Sequence, residues 1–307
     1  MKTGIVISEI FTEHDTGRHP ESVQRAEALN SMILTSLAGD CLLLDPVAAA
    51  IADISRVHDP GYITELEKLC KNGSGYYDAD TPFCPRTFNT ALHAAGAGIV
   101  LADALLAGEI RNGFAAVRPP GHHSLAGQAM GFCFFNNIAV CARYLQHRGV
   151  NRIFILDFDV HHGNGTQDAF YRDDTVFFCS LHRYPFYPGS GAAGERGEGK
   201  GLGYTLNIPL PAGTREAVYL QRFKDEVVPA IQEFSPDCIL VSAGFDAHKN
   251  DPLGGMGLES ESYYHLTKLI VRAAENSCQG RVLSFLEGGY HIPSLADSVF
   301  AHIKALY

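Results

Sequence analysis

The sequence has no C-x-x-C pair and no dense cysteine cluster; its eight cysteines stand apart at 41, 70, 84, 133, 141, 179, 238 and 278. That spacing excludes a small disulfide-stapled scaffold and predicts reduced, mostly buried thiols. Positive charge is scarce too. Lys and Arg number 24 against 34 Asp and Glu, a formal charge of -10, which argues against nonspecific binding to nucleic acid or an anionic membrane and tilts towards cationic substrates. No run approaches the roughly 20 apolar residues needed to span a bilayer. The start, MKTGIVISEI, has one early Lys and an apolar run that ends at Glu9, and reads as a first strand rather than a signal peptide. Linkers, repeats and low-complexity segments are missing as well. The expectation is a soluble, cytoplasmic protein whose 307 residues, 46% hydrophobic, form a single domain over 1–307 with a substantial core.

What the sequence does contain is organised around Arg152–Gly165, RIFILDFDVHHGNG. Ile153, Phe154, Ile155, Leu156 and Phe158 predict a strand buried on both faces, as in a parallel sheet flanked by helices. Successive strand side chains point to opposite faces, so Asp157, Asp159 and His161 converge on one side. Three ionisable groups at a buried strand end are costly without a partner or a metal, and the spacing outlines a metal site.

The rest of the chain alternates strands with helices. Strands are expected around Ile5–Ser8, Phe114–Val117, Thr175–His182, Cys238–Asp246 and Arg281–Leu286. Helices are expected from Pro20, which suits a first helical turn, to Leu37, and over Gly61–Cys70, Arg86–Gly108, Asn136–Gly149, Glu216–Phe234, Ser260–Glu275 and the C-terminus. Lys71–Pro85 and Arg183–Gly203 read as loops. This pattern predicts an α/β fold, a three-layer α/β/α sandwich with a mostly parallel central sheet. Its strand ends carry His122-His123, Asp157-x-Asp159-x-His161, Asp246 and Gly288-Gly289-Tyr290. In a parallel sheet all of these lie along one edge, where ligands bind.

The segments RPPGHH, GFCFFNN, DFDVHHGNG, SLHRY, SAGFDAHKNDPLGG and EGGY, in this order over nearly the whole chain, resemble the zinc-dependent histone deacetylase family in its class II-like branch with bacterial members. The resemblance implies the arginase–deacetylase fold, and a metal held by Asp159, His161 and Asp246. Such a donor set leaves positions open for water and substrate, as a catalytic Zn²⁺ needs; Fe²⁺ suits the same oxygen and nitrogen atoms. It further implies His123 as general base, His122 as its electrostatic partner, Asp157 orienting His122 and Asn164 holding His123. A neutral amide partner supports an imidazolium less than a carboxylate does, so the two histidines should differ in pKa. Tyr290 would donate to the developing oxyanion. Gly288 and Gly289 are the backbone that must approach the substrate closely.

The same resemblance implies a substrate tunnel walled by Gly131, Phe132, Phe186 and Tyr187 with Leu253 at its rim. It also implies a K⁺ site formed by Asp157, Asp159, His161, Ser180 and Leu181, and a second at Phe170, Asp173, Val176 and Tyr204. Arg25 fits either an inner acetate channel or an exposed helix face. His93, His147 and His265 read as packing or surface residues.

The implied activity is metal-dependent hydrolysis of the side-chain amide of acetyl- or acyl-lysine in proteins or peptides. An acetylpolyamine amidohydrolase is the nearest alternative. Leu253, where polyamine-selective relatives carry Glu, favours the lysine reading, and so does the lack of a long insertion in Glu9–Pro20. A non-catalytic binder of acyl-lysine is the alternative of another class. A ureohydrolase is disfavoured because a two-metal site needs further ligands. Oligomeric state and acyl preference are not legible.

Overall fold

The computed structural model describes residues 2–307. Its strands are β1 Lys2–Val6, β2 Cys41–Leu44, β3 Gly75–Tyr76, β4 Pro82–Phe83, β5 Ile110–Ala115, β6 Ile153–Asp157, β7 Val176–Arg183, β8 Thr205–Leu210, β9 Cys238–Ala243 and β10 Val282–Leu286. Eight of them form one sheet in the order β2-β1-β5-β10-β9-β6-β7-β8, and every pairing in it is parallel. β3 and β4 pair as a short antiparallel hairpin.

The helices are α1 Val23–Ser36, α2 Ile51–Ile54, α3 Pro60–Asn72, α4 Thr87–Leu106, α5 Asn137–His147, α6 Asn164–Phe170, α7 Glu216–Arg222, α8 Val228–Phe234, α9 Ser260–Cys278 and α10 Ile292–Leu306. Strand alternation decides how they layer. Ile153 and Ile155 pack into one core with Ala94, Leu101, Ile138 and Leu145 of α4 and α5. Phe154 and Leu156, one residue out of phase, pack into another with Ile33, Ile231, Leu266 and Val299 of α1, α8, α9 and α10. The architecture is therefore the expected three-layer α/β/α sandwich.

Several boundaries differ from expectation. α1 begins at Val23 and not at Pro20, because Ser22 is extended and forms the N-cap position. The first strand lies earlier, at Lys2–Val6, and β5 starts at Ile110. The edge strands β2 and β8 were not expected: each has a partner on one side only, so neither carries the fully buried apolar run by which a central strand is read. Lys71–Pro85 holds the β3–β4 hairpin as well as loop. The expected helix over Glu216–Phe234 contains a π-helical turn at Phe223–Val227. α4 corrects the membrane reading, being long and apolar enough to cross a bilayer by length and composition, yet 67% of its most apolar 18-residue window is buried inside the fold. All eight cysteines are free and buried.

β5, β10, β9 and β6 are neighbours at the centre of the sheet. Their carboxyl ends run into Ala116–His123, Glu287–Tyr290, Gly244–Asp246 and Phe158–Asn164, so the fold sets these four segments side by side.

Candidate active site

β6 ends at Asp157, so Asp159 and His161 project from the turn beyond it and not from the strand, as the alternation argument assumed. Asp159, His161 and Asp246 nevertheless converge, with one potential ligand atom from each lying within 4.8 Å of the others. His161 Nδ1 is 3.0 Å from Asp159 Oδ1 and 3.1 Å from Asp246 Oδ2. Asp246 Oδ2 is buried and, since its contact with His161 Nδ1 lacks the geometry of a hydrogen bond, it has no well-formed hydrogen-bond partner. An orphaned buried carboxylate oxygen is expensive. Burial first, then the charge of Asp159, pushes the Asp246 carboxyl up to about 7. The same two carboxylates raise His161 to about 10 against the effect of burial. A divalent cation fits this donor set, replacing a proton between two crowded carboxylates. The surrounding backbone is closed over it: a Cβ on Gly288 would sit 2.1 Å from Asp246 Oδ2.

Asp157 points away from this cluster. Its Oδ2 is 2.9 Å from His122 Nδ1, and its Oδ1 accepts from Asp159 N at 3.1 Å. Burial alone would lower the pKa of His122, but Asp157, then Asp159 and Glu287, raise it well above the ordinary value. His123 goes the other way. Burial, followed by the charges of His122 and His161, holds it well below. Its Nδ1 lies 2.7 Å from Asn164 Oδ1, and Asn164 Nδ2 faces His123 O at 3.5 Å. With the amide oriented in that way, His123 Nδ1 carries the proton and Nε2 keeps its lone pair. The resulting pair, one imidazolium and one neutral imidazole, can hold and accept a proton.

Tyr290 follows two glycines and lies half-buried, its phenol held well above the usual value by burial and by Asp246, so it is a donor at neutral pH. A cavity of about 220 Å³ leads to this centre, lined by Asp80, His123, Gly131, Phe132, His161, Phe186, Tyr187, Leu253 and Tyr290. Phe186 stacks on His161 at 5.2 Å between ring centroids, and Phe132 meets Tyr290 edge-on at 5.9 Å. Gly131 has φ +55, and a Cβ there would lie 2.5 Å from His123 Cδ2. A side chain at Gly131 would displace the imidazole.

The histone deacetylase domain family matches residues 19–306 of the chain. The chain belongs to the histone deacetylase family. Histone deacetylase 14, chloroplastic, of Arabidopsis thaliana is 42% identical, covering 95% of this chain and 74% of that protein. The histone deacetylase-like amidohydrolase of Pseudomonas aeruginosa is 42% identical over 89% of this chain and 72% of its own length. A probable deacetylase of Archaeoglobus fulgidus is 41% identical over 95% and 82%. The crystal structure of the HDA15 HD domain superposes with a TM-score of 0.95 at 36% identity, covering 99% of this chain and 88% of that one. The fold is the arginase–deacetylase fold, and the protein is a hydrolase of the histone deacetylase family with deacetylase or amidohydrolase activity.

The other residues singled out in the sequence of this histone deacetylase fall in varied places. Asp157 and Ser180 are register partners on β6 and β7, and Leu181 O accepts from Tyr219 Oη at 3.4 Å. In the second set, Phe170 O and Tyr204 O accept from Asp173 N and Phe178 N at 3.0 and 2.9 Å. Val176 lies on β7, and Arg143 Nη1 donates to Asp173 Oδ2 at 2.6 Å. Arg25 is not on an exposed helix face. It is fully buried and donates from Nε to Gly289 O at 2.7 Å and from Nη1 to Glu21 Oε1 at 3.0 Å.

Three carboxylates were missed. Glu287 Oε2 accepts from Gly121 N at 2.7 Å and His122 N at 3.1 Å, fixing the turn that aims both histidines. Asp251 holds Tyr290 N, and Asp80 lines the cavity mouth. The only available signal was adjacency: Glu287 to Gly288, Asp251 to Leu253, and Asp80 within a loop read as either rim or connection.

Proposed function

We propose that the protein hydrolyses the side-chain amide of Nε-acetyl- or acyl-lysine, with the chain over 1–307 acting as one catalytic unit. The observation that carries this reading is an aromatic-walled cavity lined by His123, His161 and Tyr290, with Asp159 and Asp246 clustered on His161. The aromatic walls of Phe132, Phe186 and Tyr187 suit the aliphatic stem of a lysine side chain, and Leu253 at the rim is apolar. Zn²⁺, or Fe²⁺ on the same donors, would be held by Asp159, His161 and Asp246. When bound there, such an ion supplies a Lewis acid for the amide carbonyl and lowers the pKa of water to about 7.

The chain's own groups supply the rest. His123 Nε2, neutral and unpaired with Asn164, takes the proton from the attacking water and returns it to the leaving amine. His122, kept cationic by Asp157, adds positive charge beside the centre where negative charge develops. The Tyr290 hydroxyl donates to the oxyanion, a contact whose loss typically costs about 3 to 4 kcal/mol. Gly288 and Gly289 leave the backbone bare enough for the substrate to approach, and the aromatic walls exclude water. A potassium ion near Asp157, Asp159, His161, Ser180 and Leu181 belongs to the same reading, as does a reducing, cytoplasm-like compartment in which eight buried thiols stay free.

Acetylpolyamine hydrolysis is the second reading, and the observation in its favour is Asp80, a carboxylate at the mouth that would attract a cation. Initial rates of zinc-reloaded protein on an acetyl-lysine peptide and on N-acetylputrescine separate the two. The lysine reading expects the higher kcat/KM on the peptide. It also expects Leu253→Glu to shift the ratio towards the polyamine. A higher kcat/KM for N-acetylputrescine in the unmodified protein would overturn it.

A further inference from the structure

The loop that leaves the metal cluster at Asp246 folds back on it. A Cβ on Gly254 would sit 1.7 Å from Asp246 O, so the segment from Asp246 to Gly254 is a tight excursion whose two ends touch. At its far side stands Asp251, largely buried. One oxygen, Oδ2, accepts from Tyr290 N at 2.6 Å and from His291 N at 3.4 Å. The other, Oδ1, accepts from Leu253 N at 2.9 Å.

Tyr290 needs such an anchor. It is preceded by Gly288 and by Gly289 at φ +121, and glycine backbone fixes little by itself. The loop is held at separate points: Gly288 N by Asp159 Oδ2 at 2.8 Å, Gly289 O by Arg25 Nε at 2.7 Å, and Tyr290 N by Asp251. Two of these act on the Gly289–Tyr290 peptide that leads into the phenol, Arg25 on its carbonyl and Asp251 on its N–H, and only Asp251 also reaches the tunnel rim, through Leu253 N. A backbone N–H bonded to a carboxylate is among the stronger and shorter hydrogen bonds.

We propose that Asp251 is a positioning residue that ties the phenol of Tyr290 to the tunnel rim at Leu253 through a single carboxylate. This deepens the reading above, since it rests on Tyr290 being the oxyanion donor. Asn at 251 keeps the shape but has one carbonyl oxygen for two opposed sets of N–H groups, so an NH₂ must face either Leu253 N or Tyr290 N. The tyrosine ring then loses its fixed direction, and a displacement of about 1 Å at a reacting group costs on the order of a hundredfold in rate.

The test combines Asp251→Asn and Tyr290→Phe, singly and together, in zinc-reloaded protein on an acetyl-lysine peptide, with melting temperature and bound zinc measured for each. Asp251→Asn is expected to lower kcat about tenfold to a hundredfold with KM within about threefold. In the Tyr290→Phe background it should change kcat by less than about twofold, because the group it positions is gone. Independently of turnover, protein carrying 3-fluorotyrosine should show a fluorine resonance, assigned by its disappearance in Tyr290→Phe, that shifts or splits in Asp251→Asn.

Additive losses in the double variant, or an unmoved resonance, overturn the proposal. If Asp251→Asn does not fold, Asp251→Ser, which keeps a small acceptor, takes its place. Failure of both to fold counts against a positioning role, since the carboxylate is then a general support. A wild-type protein inactive on the peptide but with the resonance shifted in Asp251→Asn would refute the lysine reading and leave the anchoring of Tyr290 standing.

Discussion

His122 and His123 are consecutive in the chain, their ring centroids lie 4.0 Å apart, and the fold shifts their pKa values in opposite directions. The difference is made by what each Nδ1 meets: a carboxylate, Asp157, for one and an amide, Asn164, for the other. The second imidazolium is opposed by the first and by His161, so the pair holds one proton readily and a second with difficulty.

That arrangement makes the amide partner testable. Asn164→Asp places a negative charge on His123 Nδ1 and raises its pKa. As the proposed base, His123 would act only when neutral and activity would be lost as pH falls through its pKa, so the acidic limb of the kcat/KM profile should move to higher pH. A limb in the same place as in wild type would exclude His123 as the titrating base.

Removal of the proposed metal should be visible in stability as well as in turnover. A cation that binds only the folded chain at about 100 times its dissociation constant adds about 2.7 kcal/mol. Chelator-stripped protein should therefore melt at lower temperature and recover with Zn²⁺. Asp246→Asn, which removes one of three donors, should show little recovery. Equal zinc-dependent stabilisation in both proteins would remove Asp246 from the ligand set.

The buried ion cluster behind the Tyr290 loop predicts a stability defect. Glu21 pairs with Arg25 and with Arg118, and all three are fully buried. Burial would raise the Glu21 carboxyl, but Arg118 and then Arg25 hold it down at about 2. Its stabilisation is therefore complete above the unfolded value of about 4.5 and is lost as pH falls through about 2. Glu21→Gln at neutral pH leaves two buried guanidiniums without their counter-ion, at about 3 to 5 kcal/mol. Denaturant midpoints of the two proteins measure this; a shift within error would mean that the backbone carbonyls alone suffice.

His58 gives a pH dependence of known sign. It is buried, its Nδ1 is 3.0 Å from Leu125 O and its Nε2 accepts from Asn136 N at 2.9 Å, so a second ring proton would face an N–H. Burial lowers it to about 4. A folded pKa below the unfolded 6.5 means that the neutral ring's contribution is full above 6.5 and is lost as pH falls towards 4. At full protonation that loss is of order 3 kcal/mol. Denaturant titrations of chelator-stripped protein from about pH 7.5 down to about pH 5 should show falling stability. In His58→Gln the fall should be smaller by about one proton taken up on unfolding. Parallel curves would rule out His58 as a contributor.

The central strands were legible because burial on both faces writes a continuous apolar run, as in Ile153–Leu156 and Cys238–Val241. The edge strands β2 and β8 were not, because one free side relaxes that demand. Chain order brought Asp157, Asp159, His161 and Asp246 to strand ends, but the alternation wrongly put Asp157 with Asp159 and His161, and only the family resemblance picked out Asp159, His161 and Asp246 as the cluster. Glu287, Asp251 and the burial of Arg25 escaped, since what each does depends on backbone groups far away in the chain: Arg25 on Gly289, Glu287 on Gly121.

Local order along the chain thus determined the sheet-and-helix alternation and which chemical groups stand at strand ends, because both are set by neighbours one or two residues apart. Tertiary structure alone decided that Asp157 turns to His122 while Asp159 turns to His161. It also decided that one imidazole is charged and its neighbour neutral, and that a single carboxylate joins Tyr290 to Leu253. Charge state and hydrogen-bond direction depend on distances between segments over a hundred residues apart in some cases, and only the folded chain fixes those distances.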